Sequence, residues 1–256
     1  KAAAIIHCQP VHASFGLLCG WGKLSLPFIM RKNSDAGYTM TEQEGVIKFQ
    51  LSYQQAELTA AADVSELNAW RTLCVQLGML GQHSLRYDNY GFGNISQRLP
   101  GTDQFLISGT QTGGKAVLTA ADYALVSHCQ PELNQIAATG PCKPSSEAMT
   151  HGQLYLLDPG INFVIHAHCP AIWHLANELQ LPQTAAEIPY GTIEMAAEVA
   201  RLFSATTVTR QGIFTMAGHE DGVVAFGSSG AAAFQVLAEY YAKALTLGAE
   251  PNLWPG

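Results

Sequence analysis

Phe163-Val164-Ile165-His166-Ala167-His168-Cys169 is an apolar run that closes on histidines at alternate positions. Its length and its branched and aromatic content read as a buried strand. Side chains two apart on a strand share a face, so His166 and His168 present two imidazoles side by side while Ala167 turns away. Two neutral imidazoles converging on one point are half of a first-row metal site. The bland alternative is a pair of polar residues ending a buried strand, and the rest of the chain has to decide between them.

That strand sits in 256 residues that are 48% hydrophobic and 13% charged, enough apolar material for one large domain or two small ones. The balance describes a soluble globular protein, not a disordered or fibrous one. A net charge of −7 with no lysine/arginine cluster argues against nucleic-acid binding. Six cysteines (Cys8, Cys19, Cys74, Cys129, Cys142, Cys169) show no Cys-x-x-Cys spacing, which points to reduced thiols in a cytoplasmic protein.

Residues 1–39 differ from the remainder: they carry Lys1, Lys23, Arg31 and Lys32 against the single acid Asp35. Their apolar part, from Ala13 to Met30, is interrupted by Lys23 and Pro27 and is too short to span a bilayer comfortably. It lacks the orderly basic, apolar and small-residue blocks of a secretory signal. Met40-Thr41-Glu42 reads like a natural start, so residues 1–39 are expected to be an extension outside a single core domain at 40–256.

From Ser65 to Leu80, Leu67, Trp70, Leu73, Cys74, Leu77 and Leu80 recur at helical spacing, with Ser65 as the expected N-cap. Tyr90–Arg98 and Asp103–Ser108 read as two strands joined at Pro100-Gly101. The loop Gly109-Thr110-Gln111-Thr112-Gly113-Gly114 has the composition of an anion-binding nest, though it is neither a P-loop nor a dinucleotide fingerprint. Lys143-Pro144-Ser145-Ser146-Glu147 precedes a helix over 148–157, where the serines either cap the helix or hold a phosphate at its N-terminus. Pro170 opens a helix to Leu179, on which His174 is expected to be packed. A helix over 193–203 carries Glu194 and Glu198 on what reads as a solvated face. Two apolar strands, Gly212–Met216 and Val223–Gly227, flank Gly218-His219-Glu220-Asp221-Gly222, a turn that puts a third histidine within reach of a metal. A long apolar helix runs from Ala231 to Leu247.

In order, Gly93-Asn94-Ile95-Ser96, the glycine/threonine loop, Lys-Pro-Ser-Ser-Glu, His-x-His on a strand and a late Gly-His turn resemble the class II aldolase/adducin family, which includes L-fuculose-phosphate aldolase. The resemblance spans roughly Val64 to Leu247. It implies a three-layer α/β/α sandwich around a mostly antiparallel central sheet, assembled as a homotetramer. It also implies a divalent metal, Zn²⁺ or another such as Mn²⁺, on His166, His168 and His219. By the same likeness Glu147 is a movable carboxylate that ligates the metal or shuttles protons. Asn94, Thr112, Gly113, Ser145 and Ser146 match a substrate phosphate pocket. The implied activity is an aldolase or lyase that cleaves or forms a carbon–carbon bond in a small phosphorylated sugar through a metal-stabilised enediolate. The chemistry is self-consistent: three histidines leave zinc an open position, and a positioned carboxylate can return a proton to the enediolate.

A tyrosine often completes proton transfer in this family, and Tyr190 is the first candidate, with Tyr240 and Tyr241 behind it. The acids Glu220 and Asp221 depart from the family's usual Asn-His-Gly turn. They stand to bind a cationic part of the substrate, to accept a hydrogen bond from a ligand, or to be solvated. A 4-epimerase or a dehydratase would use nearly the same residues. A non-catalytic adducin-like interaction module is the competing class, and a metal triad argues against it. Neither a nucleic-acid nor a membrane partner is expected.

Overall fold

The computed structural model describes residues 28–33, 36–42, 45–58 and 63–252. The chain divides between Thr41 and Glu42 into two compact units. Strands β1 (Phe28–Asn33) and β2 (Ala36–Glu42) pair in a two-stranded sheet of their own. The remainder of the expected N-terminal extension lies outside the described residues.

The larger unit is organised around an eight-stranded sheet. Its strands are β3 (Gln50–Gln55), β6 (Asn94–Arg98), β7 (Phe105–Ser108), β8 (Tyr123–Gln130), β9 (Gln135–Gly140), β10 (Phe163–His168), β11 (Ile213–Thr215) and β12 (Gly222–Gly227). The spatial order is β11-β12-β10-β6-β7-β8-β9-β3. Every pairing is antiparallel except that of edge strand β3 with β9. A separate ladder joins β4 (Gly81–Gln82) to β5 (Gly91–Phe92).

Strand β10 is buried along its whole length, and its alternation separates two cores. Phe163, Ile165 and Ala167 pack with Leu67 and Cys74 of α1 (Ser65–Gln76), Ile172 of α3 (Pro170–His174) and Leu237 of α6 (Gly230–Thr246). Val164 packs on the opposite face, with Met149 and Leu154 of α2 (Ala148–Leu157) and Met195 and Val199 of α4 (Ile193–Ala205). Helices thus cover both faces, the three-layer arrangement expected from the sequence. His166 and His168 follow the parity of Val164 and so belong to the α2/α4 side. A one-turn helix, α5 (Val208–Gln211), leads into β11. Two helix starts are capped in the ordinary way, Thr192 Oγ1 accepting from Met195 N–H and Ser229 Oγ from Ala232 N–H. Among the described residues no helix is long and apolar enough to cross a membrane.

Several local expectations are corrected. Ser65 is the first residue of α1 rather than its N-cap: its N–H donates to Asp63 Oδ1 at 2.9 Å. The stretch from Tyr90 to Arg98 is not one strand but breaks at Gly93, which lies at φ +69. A side chain there would start 2.9 Å from the His166 carbonyl oxygen, so only glycine lets β6 dock beside β10. Helix α3 stops at His174 instead of reaching Leu179; the chain runs on through turns that close where Leu181 N–H reaches back to Ala176 O and Gln180 adopts φ 55. His174 is exposed, not packed. Glu198 is not merely solvated: it accepts from Ala185 N–H at 2.8 Å and pairs with Arg201, whereas Glu194 is exposed.

Candidate metal and anion site

The antiparallel turn between β11 and β12 carries His219 back over β10. Met216 accepts from His219 N–H and His219 O accepts from Gly222 N–H, which closes the turn tightly. The three imidazoles meet there: His166, His168 and His219 each offer a ring nitrogen, and these atoms lie within 4.8 Å of one another. Ring centroids are 5.1 Å apart for His166–His168, 5.2 Å for His166–His219 and 4.8 Å for His168–His219. All three are buried.

Burial is the main reason that these rings stay neutral. It depresses the pKa of His166 to about 3 and takes His168 and His219 well below the ordinary 6.5, neighbouring imidazoles adding to the effect. Neutral imidazole is the form that ligates a metal. Nε2 of His166 is buried with no hydrogen-bond partner among the described residues. A divalent cation fits this donor set, since Nε2 of His166 is a buried ring nitrogen that no described residue reaches.

Glu147 stands at the N-terminal end of α2, buried, with Oε1 4.0 Å from His219 Nε2. Thr150 Oγ1 donates to the other oxygen, Oε2, at 3.0 Å and fixes the carboxylate. The serines before it do not cap α2. Instead Ser145 N–H donates to Ser108 O and Ser145 Oγ accepts from Glu147 N–H, pinning the approach to the helix.

A small pocket of about 30 Å³, open to solvent, adjoins the cluster and is lined by Asn94, Thr112, Gly113, Ser145, Ser146, Glu147 and His166 among others. Every residue expected from the sequence to hold a phosphate therefore borders one cavity together with a histidine of the cluster. The loop reaches it by close backbone packing: a Cβ on Gly113 would start 2.5 Å from Gly91 Cα. Arg71 of α1 donates to the carbonyls of Thr112 and Ala116 and holds the loop from behind.

Tyr190 packs its ring 4.8 Å from that of His219, and its hydroxyl accepts from Val46 N–H at 3.2 Å. Tyr240 and Tyr241 belong elsewhere. Both lie on α6, across the sheet, where Tyr240 Oη accepts from Gln211 and Tyr241 Oη from Asn252 N–H. The two acids after His219 also part company. Glu220 is exposed, whereas Asp221 is buried and accepts from Tyr87 Oη at 2.6 Å and from Arg86 at 3.4 Å. Tyr87 in turn packs edge-on against His168, ring centroids 4.6 Å apart, so Asp221 braces the wall behind that histidine.

Sequence reasoning missed Arg86, Tyr87 and Thr150, and also Gly45, Thr110 and Gln111, which line the pocket. Thr110 and Gln111 lay inside a loop already singled out. Gly45 had no local signal, because it comes to the pocket through Thr110 Oγ1 donating to its carbonyl.

An α/β/α domain with a buried histidine cluster beside a hydroxyl-lined pocket defines the class, and the family follows from the sequence profile. The chain belongs to the family described as Class II Aldolase and Adducin N-terminal domain, which matches residues 79–246. Three solved structures share the fold. An L-fuculose 1-phosphate aldolase is 21% identical (TM-score 0.51, 78% of this chain, 92% of that one). A sugar-phosphate aldolase from Thermotoga maritima is 17% identical (TM-score 0.52, 73% and 97%). YgbL from Escherichia coli is 20% identical (TM-score 0.55, 75% and 92%). No curated protein sequence matches the chain.

Proposed function

We propose that this chain is a divalent-metal-dependent lyase of the aldolase type, acting on the carbon–carbon bond of a small phosphorylated sugar. The observation that carries the reading is the meeting of three buried neutral histidines and a buried carboxylate beside a pocket of hydroxyls and glycine backbone. His166, His168 and His219 hold the cation, zinc or manganese by donor type. When bound, it supplies a Lewis acid that stabilises the negative charge developing at the substrate's carbonyl as the bond breaks.

The chain's own groups do the rest. Ser145, Ser146, Asn94 and the Thr112-Gly113 segment grip the phosphate and set the sugar's register against the histidines. Glu147, with one oxygen tied to Thr150, uses Oε1 to move a proton at the carbon next to the carbonyl. Tyr190 serves the second fragment, transferring a proton at the aldehyde oxygen. The assembly is assigned as a cytoplasmic homotetramer built from residues 40–256, with 1–39 as an extension.

The test is a screen of ketose and aldose phosphates with added Zn²⁺, Mn²⁺ or Mg²⁺, reading aldehyde release. His168→Ala is expected to abolish turnover with the fold intact, and full activity in that variant would contradict the assignment. Epimer formation without cleavage, or loss of water, would select the epimerase or dehydratase chemistry instead. Purified protein that takes up no stoichiometric divalent metal would select a non-catalytic module.

A further inference from the structure

Asn94 faces His166 directly in the β6–β10 register, and its amide Nδ2 lies 3.1 Å from His166 Nδ1. That orientation leaves two buried groups stranded. With Nδ2 donating to Nδ1, the neutral ring must carry its proton on Nε2, where no described residue accepts it. Asn94 Oδ1 is likewise buried without a partner. Oxygen and nitrogen of an amide are interchangeable in shape, so their assignment is decided by the surrounding hydrogen bonds.

We propose that the amide is turned over in the working protein: Oδ1 accepts from His166 Nδ1–H, and Nδ2 becomes a donor in the adjoining pocket. The turn needs no movement of the backbone and recasts both stranded groups as ones the two ligands satisfy: a lone pair on Nε2 for a cation and an amide N–H for an anion. It sets the tautomer of His166 so that the Nε2 lone pair is available to a cation. It also places an N–H donor, instead of an oxygen, in a residue that lines the pocket shared with Ser145, Ser146 and Gly113, where an anion would sit. Asn94 is thus a positioning residue for the metal ligand and a bridge between the two halves of the site. An anion that engages Nδ2 holds the amide in the orientation that favours the metal, and the metal holds it in the orientation that favours the anion. The two ligands should bind with positive coupling.

The inference rests on the metal and phosphate reading given above, and one set of measurements separates the two. Wild type, Asn94→Asp and Asn94→Leu, each checked for folding by circular dichroism, are stripped of metal and titrated with Co²⁺ by absorption and with Zn²⁺ by calorimetry. The metal-loaded proteins are then titrated with inorganic phosphate. Aspartate keeps the acceptor for Nδ1–H but removes the donor and adds a negative charge; leucine removes both. Asn94→Asp should therefore keep metal affinity near that of wild type and lose phosphate binding. Asn94→Leu should lose both, the metal by about 10–100-fold. In wild type, phosphate should bind more tightly with metal present than without it.

Equal loss of metal in the two variants, or none in Asn94→Leu, overturns the inference while leaving the metal site itself standing. Wild type that binds no divalent cation overturns the functional reading first. Should Asn94→Leu fail to fold, ring-nitrogen NMR of wild type decides: a proton found on Nε2 of His166 in the metal-free protein refutes the turned amide.

Discussion

Acid should unfold the metal-free protein cooperatively and early. His166, His168, His219 and His151 are all buried, and burial holds each pKa below the usual 6.5, that of His166 at about 3. The unfolded chain takes up protons at these positions below about pH 6.5 and the folded chain does not, so stability present above that pH drains away as pH falls. Each histidine contributes a slope of about 1.4 kcal/mol per pH unit, or about 2 kcal/mol lost by pH 5. Four acting independently give an upper bound of roughly 8 kcal/mol, which is comparable to the whole stability of an ordinary domain. Urea unfolding in EDTA, followed by tryptophan fluorescence at half-unit steps from pH 7.5 to 5, measures the slope. Between pH 6 and 5 it should exceed that of a single proton severalfold, and His151→Asn should lower it by one proton's worth. A stability that stays flat from pH 7 to 5 would refute the claim that these rings are buried and neutral.

Zn²⁺ at about 100 times its Kd should add about 2.7 kcal/mol and raise the melting temperature by roughly 5–10 °C; His219→Ala should show no such rise in the same scan. Ser96→Ala should cost at least about 1–3 kcal/mol in urea, because Ser96 Oγ is the shared partner of His151 Nδ1 and Tyr155 Oη, both at 2.7 Å. Replacing Ser96 by threonine, which keeps the hydroxyl, should cost less. Gly152→Ala should destabilise by about 1–3 kcal/mol, since its new methyl would meet Cys129 Cβ at 2.9 Å across the α2–β8 contact. Cys129→Ala in the same chain should recover part of that loss, and no recovery would point to a backbone cause.

Local pattern was enough for the strand that carries two of the histidines, since alternation of side chains fixes that they share a face once the strand forms. It was enough for α1, α4 and α6, whose apolar residues recur at helical spacing, for α2, which follows the Ser-Ser-Glu start and is buried on nearly all sides, and for the order of motifs that marks the family. It failed at β3, β8 and β9. Strand β3 is an edge strand with little burial, and β8 carries an irregularity between Val126 and His128 that breaks its alternation. It also ran α3 too long and misread Gly93 as an ordinary strand residue.

What the chain's order of residues determined alone was chemical: which imidazoles, which carboxylate and which hydroxyls exist, and that two histidines lie side by side. What only the folded sheet decided was who meets whom. The β11–β12 turn brings His219 to a pair of residues more than fifty positions earlier in the chain. The β6–β10 register sets Asn94 against His166, and the packing of Tyr87 makes Asp221 a brace instead of a substrate contact. These are contacts between segments far apart in sequence, created by strand pairing and burial, and local periodicity carries no record of them.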